Sequence, residues 1–284
     1  MSTLSKRDLE RSLLAAIDQR TRDYAQTFAL AVRFENDNTK AEHDTKNFQS
    51  ILRAFGMSPA EEYIINASDS MPGWNLHDRF MSLLKAAHSA AGRSLVMIHY
   101  AGHGKVDVNG QLVFLANAKT PRSISFHLTF FEPVSQDSMY TEMNSNVDVV
   151  FILDSCYSGK ATRAVGGPGR IVEILAAVEA DQTAFGNSPE EVRTQYRTFT
   201  SKIADYVSRK RGKGETVELA EMIACLRQES PTKKPVHTIL LGPNSIRLGF
   251  PGSRNLSVTP SADLAHRVVF SVHVADAVFS FSLV

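Results

Sequence analysis

Val149-Val150-Phe151-Ile152-Leu153-Asp154-Ser155-Cys156-Tyr157-Ser158-Gly159 is the stretch on which the reading of the fold turns. Five apolar residues bounded by polar ones suit a short strand buried on both faces. The run stops abruptly at Asp154, which puts Cys156 at the carboxyl end of the strand. In an open parallel sheet that edge collects ligands and chemistry, because its loops are held by rigid strands yet reach solvent. A cysteine is more often a small buried hydrophobe than a nucleophile, and Cys156 alone does not choose between the two. A nucleophilic thiol needs a base.

Working outward, apolar runs alternate with amphipathic ones. Thr27 to Phe34 reads as a first strand, followed by a polar loop from Asn36 to Thr39. Phe48, Ile51, Leu52 and Phe55 then mark a helix with Gly56 at its carboxyl cap. Tyr63 to Ile65 make a second strand, Leu76, Phe80, Leu83, Leu84 and Ala87 a second helix, and Ser94 to Tyr100 a third strand. Asp107 to Ala116, with Asn109 and Gly110 as turn residues, reads as a hairpin. After a short helical region near Met139, the opening stretch supplies the fourth strand and Ile171 to Val178 a fifth. Gly186 to Glu190 read as a linker. Helices through Phe199 to Val207 and Leu219 to Leu226 lead to a sixth strand at Val236 to Leu241. Such alternation predicts an α/β sandwich, a mainly parallel six-stranded sheet with helices on both faces.

The expected organisation is an N-terminal helical segment over residues 1–26, a main domain over 27–250, and a linker with an apolar, β-prone tail over 251–284. The tail either adds strands or begins a further module. A net charge of +1 with intermixed acids and bases gives no global field for nucleic acid or a membrane surface, and neither is expected as a partner. Two cysteines, Cys156 and Cys225, are too few for a disulfide framework or a zinc cluster. No apolar run approaches the roughly 20 residues of a membrane span. The first residues lack a secretory apolar region, so the cytoplasm or the nucleus is the expected location.

The third strand runs into Tyr100-Ala101-Gly102-His103-Gly104. If it neighbours the fourth, His103 and Cys156 project from one edge of the sheet. A thiol of pKa about 8.5 is mostly protonated at neutral pH, so a nearby imidazole is what would activate it. The flanking glycines leave room for substrate, and the amide N–H groups of Gly104 and Cys156 could receive a developing oxyanion. This is the outline of an acyl-transfer site.

Tyr-Ala-Gly-His-Gly with Asp-Ser-Cys-Tyr-Ser-Gly resembles the paired motifs of metacaspases and other caspase-fold cysteine peptidases. Val172 to Ala177 leading into Asp181-Gln182-Thr183-Ala184 is similar to the fifth strand and following segment of that family, and the likeness runs from about Thr27 to Leu248. It implies an endopeptidase in regulated proteolysis or cell death. Cys156 would attack the scissile carbonyl, with His103 as base and then proton donor. It also implies that Asp154 accepts an arginine or lysine before the cut bond. Asp44 resembles a second acid of that pocket, although its place near a helix start equally suits an exposed charge. Protein substrates with basic cleavage sites follow, and either a monomer or an edge-strand dimer is compatible with the resemblance.

Many metacaspases are switched by calcium held in a cluster of acids. Glu132, Asp137, Glu142 and Asp148 are scattered, and Arg163 stands where an acid would follow the cysteine motif, so no cofactor and no calcium requirement are expected. Lys160, Arg163 and Arg170 flank a Gly-rich loop that could be cut by the protein itself. Pro168 and the lack of Gly-Lys-Ser/Thr remove a phosphate-loop reading, and the first strand lacks the glycine fingerprint of a nucleotide-binding doubly wound fold. His99 reads as a core histidine on a strand and Cys225 as structural. Ser208 to Lys213 reads as a solvated basic loop in preference to a phosphate patch or localisation signal. A catalytically idle caspase-like scaffold is the competing function, and the presence of both His103 and Cys156 argues against it.

Overall fold

A computed structural model describes residues 24–66, 68–117, 123–135, 146–161, 170–179, 198–230, 233–242 and 244–252. Its framework is a six-stranded sheet built from β1 (Gln26–Phe34), β2 (Glu61–Ile65), β3 (Ser94–Ala101), β7 (Val147–Asp154), β8 (Val172–Ala176) and β10 (Val236–Leu241). The spatial order is β10-β8-β7-β3-β1-β2; every neighbouring pair is parallel except β10 with β8. β3 and β7 lie in the middle and are buried along their whole lengths, which is why both read as mainly apolar runs.

The period-two alternation of strand side chains divides the core into two layers. Leu30, Val32, Val96, Ile98, Val149, Phe151 and Leu153 face one side, where α2 (Pro72–Ser89) contributes Leu76, Phe80 and Leu84. A turn of π-helix at His127–Phe131, continued by α3 (Glu132–Ser135), adds Phe130 and Val134. Ala29, Ala31, Leu95, Met97, Val150 and Ile152 face the other side. There they meet α1 (Ala41–Ala54), α4 (Phe199–Lys213) and α5 (Leu219–Glu229) through Phe48, Ile203, Tyr206, Met222 and Leu226. Helices on both faces of a mostly parallel sheet are the expected sandwich. The same parity puts Asp148 and Asp154 on the side of α1 and α4.

The hairpin is displaced from its sequence reading. Its arms are β4 (His103–Val106) and β5 (Leu112–Leu115), joined by a turn in which Asp107 Oδ1 accepts from the Asn109 and Gln111 amides at 2.9 and 2.8 Å. Gly110 takes the positive φ of 75° that the turn demands. A third strand, β6 (Ser123–Ser125), completes this small sheet. The motif histidine therefore opens β4 and is not part of a loop trailing from β3; Gly102, at φ 142°, makes the break. Two short strands, β9 (Val217–Glu218) and β11 (Arg247–Leu248), pair before and after α5.

Ser208 to Lys213 is not a loop either. It forms the last turns of α4, where positive charge favours the helix terminus, and Lys210 pairs with Glu215 at 2.8 Å. Cys225 packs half-buried against the second core layer. The expected region near Met139, the Asp181 to Ala184 segment, the 186–190 linker and nearly all of the tail and of the N-terminal segment lie outside the described residues.

Candidate active site

β3 and β7 run parallel in register, with Ala101 opposite Asp154, so the two motifs leave the sheet together. The Gly102 amide donates to the Asp154 carbonyl at 3.3 Å, carrying the contact one residue past the strand. Gly104 then lies directly on the cysteine: a Cβ built there would fall 2.3 Å from the Cys156 carbonyl oxygen and 3.0 Å from Ser155 Oγ. Only glycine allows this approach, which is why the residue after His103 has no side chain. His103 and Cys156 are each half-buried at the carboxyl edge of the sheet.

Both backbones are pinned. The Tyr100 hydroxyl donates to the His103 carbonyl at 2.7 Å, and its ring stacks on Phe114 of the hairpin with centroids 3.7 Å apart. Burial holds this phenol well above its ordinary range, so it remains a donor. Beyond Cys156, Tyr157 adopts the left-handed conformation at φ 57°, uncommon for a residue with a bulky side chain. It swings the chain into a 3-10 turn at Ser158–Ala161 and leaves the cysteine at a corner, not inside a regular element.

The two acids converge from different elements. Asp154 closes β7 and Asp44 lies in the first turns of α1; they are 7% and 4% exposed, so Asp44 is not a solvated helix-start charge. Asp154 Oδ2 accepts from both the amide and the hydroxyl of Thr200 at 2.8 Å, and Asp44 Oδ1 accepts from the Thr198 hydroxyl at 2.5 Å. Thr198 is the N-cap of α4, so the start of that helix is laid across both carboxylates. Burial, and then the Asp154 charge, push the Asp44 carboxyl up to about 8. Asp154 is also raised by burial, against which the Thr200 bonds and the Lys202 charge favour its ionised form.

Behind Asp154, Thr200 Oγ1 also lies 3.0 Å from His99 Nε2, and the His99 ring stacks on Phe48. Complete burial lowers the pKa of this imidazole to about 3, so it is neutral and structural.

The caspase-domain family profile matches residues 26–244, spanning every strand of the central sheet. The chain belongs to the caspase-domain peptidase family. It therefore has the caspase fold, and the family is one of cysteine peptidases that act on protein substrates. The solved crystal structure of drICE is similar at a TM-score of 0.45 and 12% identity, over 80% of this chain and 92% of that one. No curated protein matches the chain in sequence.

Within this caspase domain the other candidate residues are dispersed. Lys160 is exposed in the 3-10 turn after the cysteine, and Arg163 lies outside the described residues. Arg170 is buried, 8% exposed, and its guanidinium donates to the Val134 carbonyl. Asp148 is buried and tied to the framework. Arg93 Nε reaches its Oδ2 at 2.8 Å, the Tyr24 hydroxyl does so at 2.7 Å, and the Ile171 amide donates to its Oδ1 at 2.6 Å. Among the described residues no group of three His, Cys, Asp or Glu side chains is placed to hold a metal, and no helix is long and apolar enough to cross a membrane.

Sequence reasoning missed Thr198 and Thr200 as partners of the acids, although a Thr before an apolar helical run is an N-cap signal. It also passed over Asn38, whose Oδ1 lies 2.5 Å from His103 Nε2. A polar loop carries no signal for that contact.

Proposed function

We propose that this caspase-domain protein is an endopeptidase of metacaspase type, cutting after arginine or lysine with Cys156 as nucleophile and His103 as acid and base. The observation that carries the reading is the seating of Gly104 on the Cys156 carbonyl, which brings the two motif segments into backbone contact at the open edge of the sheet. His103 takes the thiol proton and the thiolate attacks the scissile carbonyl. The Gly104 and Cys156 amides would receive the oxyanion, and protonated His103 then supplies the leaving amine with its proton. Asp154, with Asp44 behind it, receives the basic side chain; two buried carboxylates sharing one desolvated place are stabilised by a cation.

No calcium requirement belongs to this reading, supported by the way Arg93, Tyr24 and the Ile171 amide already occupy Asp148. A cytoplasmic or nuclear setting fits too, since neither Cys156 nor Cys225 forms a disulfide. Lys160 is the exposed position at which self-cleavage fits best.

The test is hydrolysis of matched fluorogenic peptides ending in Arg, Lys or Asp, with calcium or with chelator. Wild type should cleave the Arg and Lys peptides in both, and Cys156→Ala should lower the rate by about 10,000-fold or more while leaving thermal stability within about 2 °C. Cleavage after Asp would remove the role given to Asp154. No cleavage of any peptide by wild type would favour the idle scaffold, and activity restored only by calcium would overturn the calcium-free mechanism.

A further inference from the structure

The 2.5 Å contact between His103 Nε2 and Asn38 Oδ1 joins the catalytic edge to the loop that follows β1. An amide oxygen can only accept, so the nitrogen facing it carries the proton and the lone pair of the neutral ring falls on Nδ1. We propose that Asn38 is the positioning residue of the reaction, holding His103 as the Nε2–H tautomer so that Nδ1 is the base for Cys156. The inference rests on the peptidase reading above.

In the activation step the Cys156 S–H bond breaks and its electron pair stays on sulfur. The proton passes to Nδ1, and the positive charge spread over the ring is met at Nε2 by the Asn38 oxygen. The same contact resists rotation of the ring while the proton is returned to the leaving amine.

Hydrogen bonds within the loop fix the chain on either side of Asn38. Asp37 Oδ2 accepts from the Thr39 amide at 2.9 Å, the Thr39 hydroxyl at 2.7 Å and the Ala41 amide at 3.1 Å, anchoring the residues on both sides of Asn38 to the start of α1. Lys40 takes a left-handed conformation at φ 65°, and the Glu35 amide donates to the Ile65 carbonyl at 2.9 Å. The other oxygen of Asp37 is buried without a hydrogen-bond partner and stands 3.4 Å from a Cβ built on Gly102. The loop thus abuts the turn that carries His103. Leaving a buried carboxylate oxygen unsatisfied is costly, and structures retain such groups most often at functional sites.

The experiment measures kcat and KM on an Arg peptide for wild type, Asn38→Ala and Asn38→Asp of the full chain. Alongside, proton–nitrogen spectra of protein labelled with 15N-histidine read the ring tautomer, with the His103 signal assigned by its loss in His103→Gln. Asn38→Ala should lower kcat about 10- to 100-fold with KM within about twofold, and should move the His103 signal away from the pure Nε2–H pattern. Asn38→Asp keeps an acceptor at the same reach and should keep that pattern and most of kcat. An unchanged His103 spectrum in Asn38→Ala overturns the assignment, whatever happens to the rate. So does a kcat within about threefold of wild type. If wild type hydrolyses no peptide, the peptidase reading alone fails, and the tautomer shift still decides the contact.

Discussion

The proposed dyad and the acid pair meet at the end of β7, where Cys156 follows Asp154 by two residues, yet their surroundings are opposite. His103 and Cys156 are half-exposed, set on glycine-lined backbone and a left-handed corner. Asp44 and Asp154 are almost wholly buried under the start of α4 and held by threonine hydroxyls. In the proposed reading, reactivity comes from backbone that can approach closely, and recognition from acids held away from water. A nucleophile has to meet substrate and exchange protons. A selective acid gains from being dry, because an unpaired carboxylate in such a place rejects any partner that is not a cation.

That separation can be broken. Asp154→Ala should lower kcat/KM for Arg peptides by about 100- to 1,000-fold, since it removes one side of a desolvated ion pair. The rate at which iodoacetamide alkylates Cys156 should stay within about threefold, because alkylation reads the thiolate and not the pocket. If both rates fall together, the acid supports the geometry of the dyad and the two regions are one.

Gly104→Ala is the converse. A methyl 2.3 Å from the Cys156 carbonyl forces β4 away from the cysteine, which should cost about 1 to 3 kcal/mol of stability in urea and slow both alkylation and hydrolysis. The preference for Arg over Asp peptides should be untouched. A change in that preference would mean that the hairpin helps shape the acid pocket.

The last prediction sharpens the acid side. Asp44 has its carboxyl raised from 3.8 to about 8, so between those values the folded protein holds a proton that the unfolded chain has lost. Its contribution to stability is then complete below about pH 4 and declines as pH rises toward about 8, by at most about 1.4 kcal/mol per unit. Asp44→Asn should flatten that slope in urea titrations at pH 5, 6.5 and 8, with the charged groups of Asp154, Asp37 and Lys202 left in place around it. In wild type the KM for an Arg peptide should fall over the same range, since the cation is bound by the ionised form. An unaltered slope in Asp44→Asn would show that this carboxyl is not the one holding the proton.

The strands that carry the site were legible in local pattern. β10 spans the residues that its apolar run predicts, and β1 and β8 differ from their predicted bounds only at their ends. The hairpin was misplaced because the Asn-Gly turn announces a turn but not which residues pair across it; its first arm begins on His103, among glycines that read as loop. The motifs at the ends of β3 and β7 could be recognised as strand ends because an apolar run followed by glycine and polar residues cannot stay buried. Glu173 shows the limit. It lies fully buried in β8 and accepts from His237 at 2.6 Å and Ser245 at 2.9 Å, with the Ile246 amide as a further donor. A lone acid in an apolar run gives no indication of partners so distant in the chain.

Read without a fold, these residues determine the alternation of strands and helices and the two motifs at strand ends. Each follows from backbone period and turn chemistry, which act over a few residues. Three contacts were decided only when the helices and loops docked: Thr198 on Asp44, Thr200 on Asp154 and Asn38 on His103. They join positions 154, 46 and 65 residues apart, where local propensity has no reach and only packing of the sheet against α1 and α4 sets the distance.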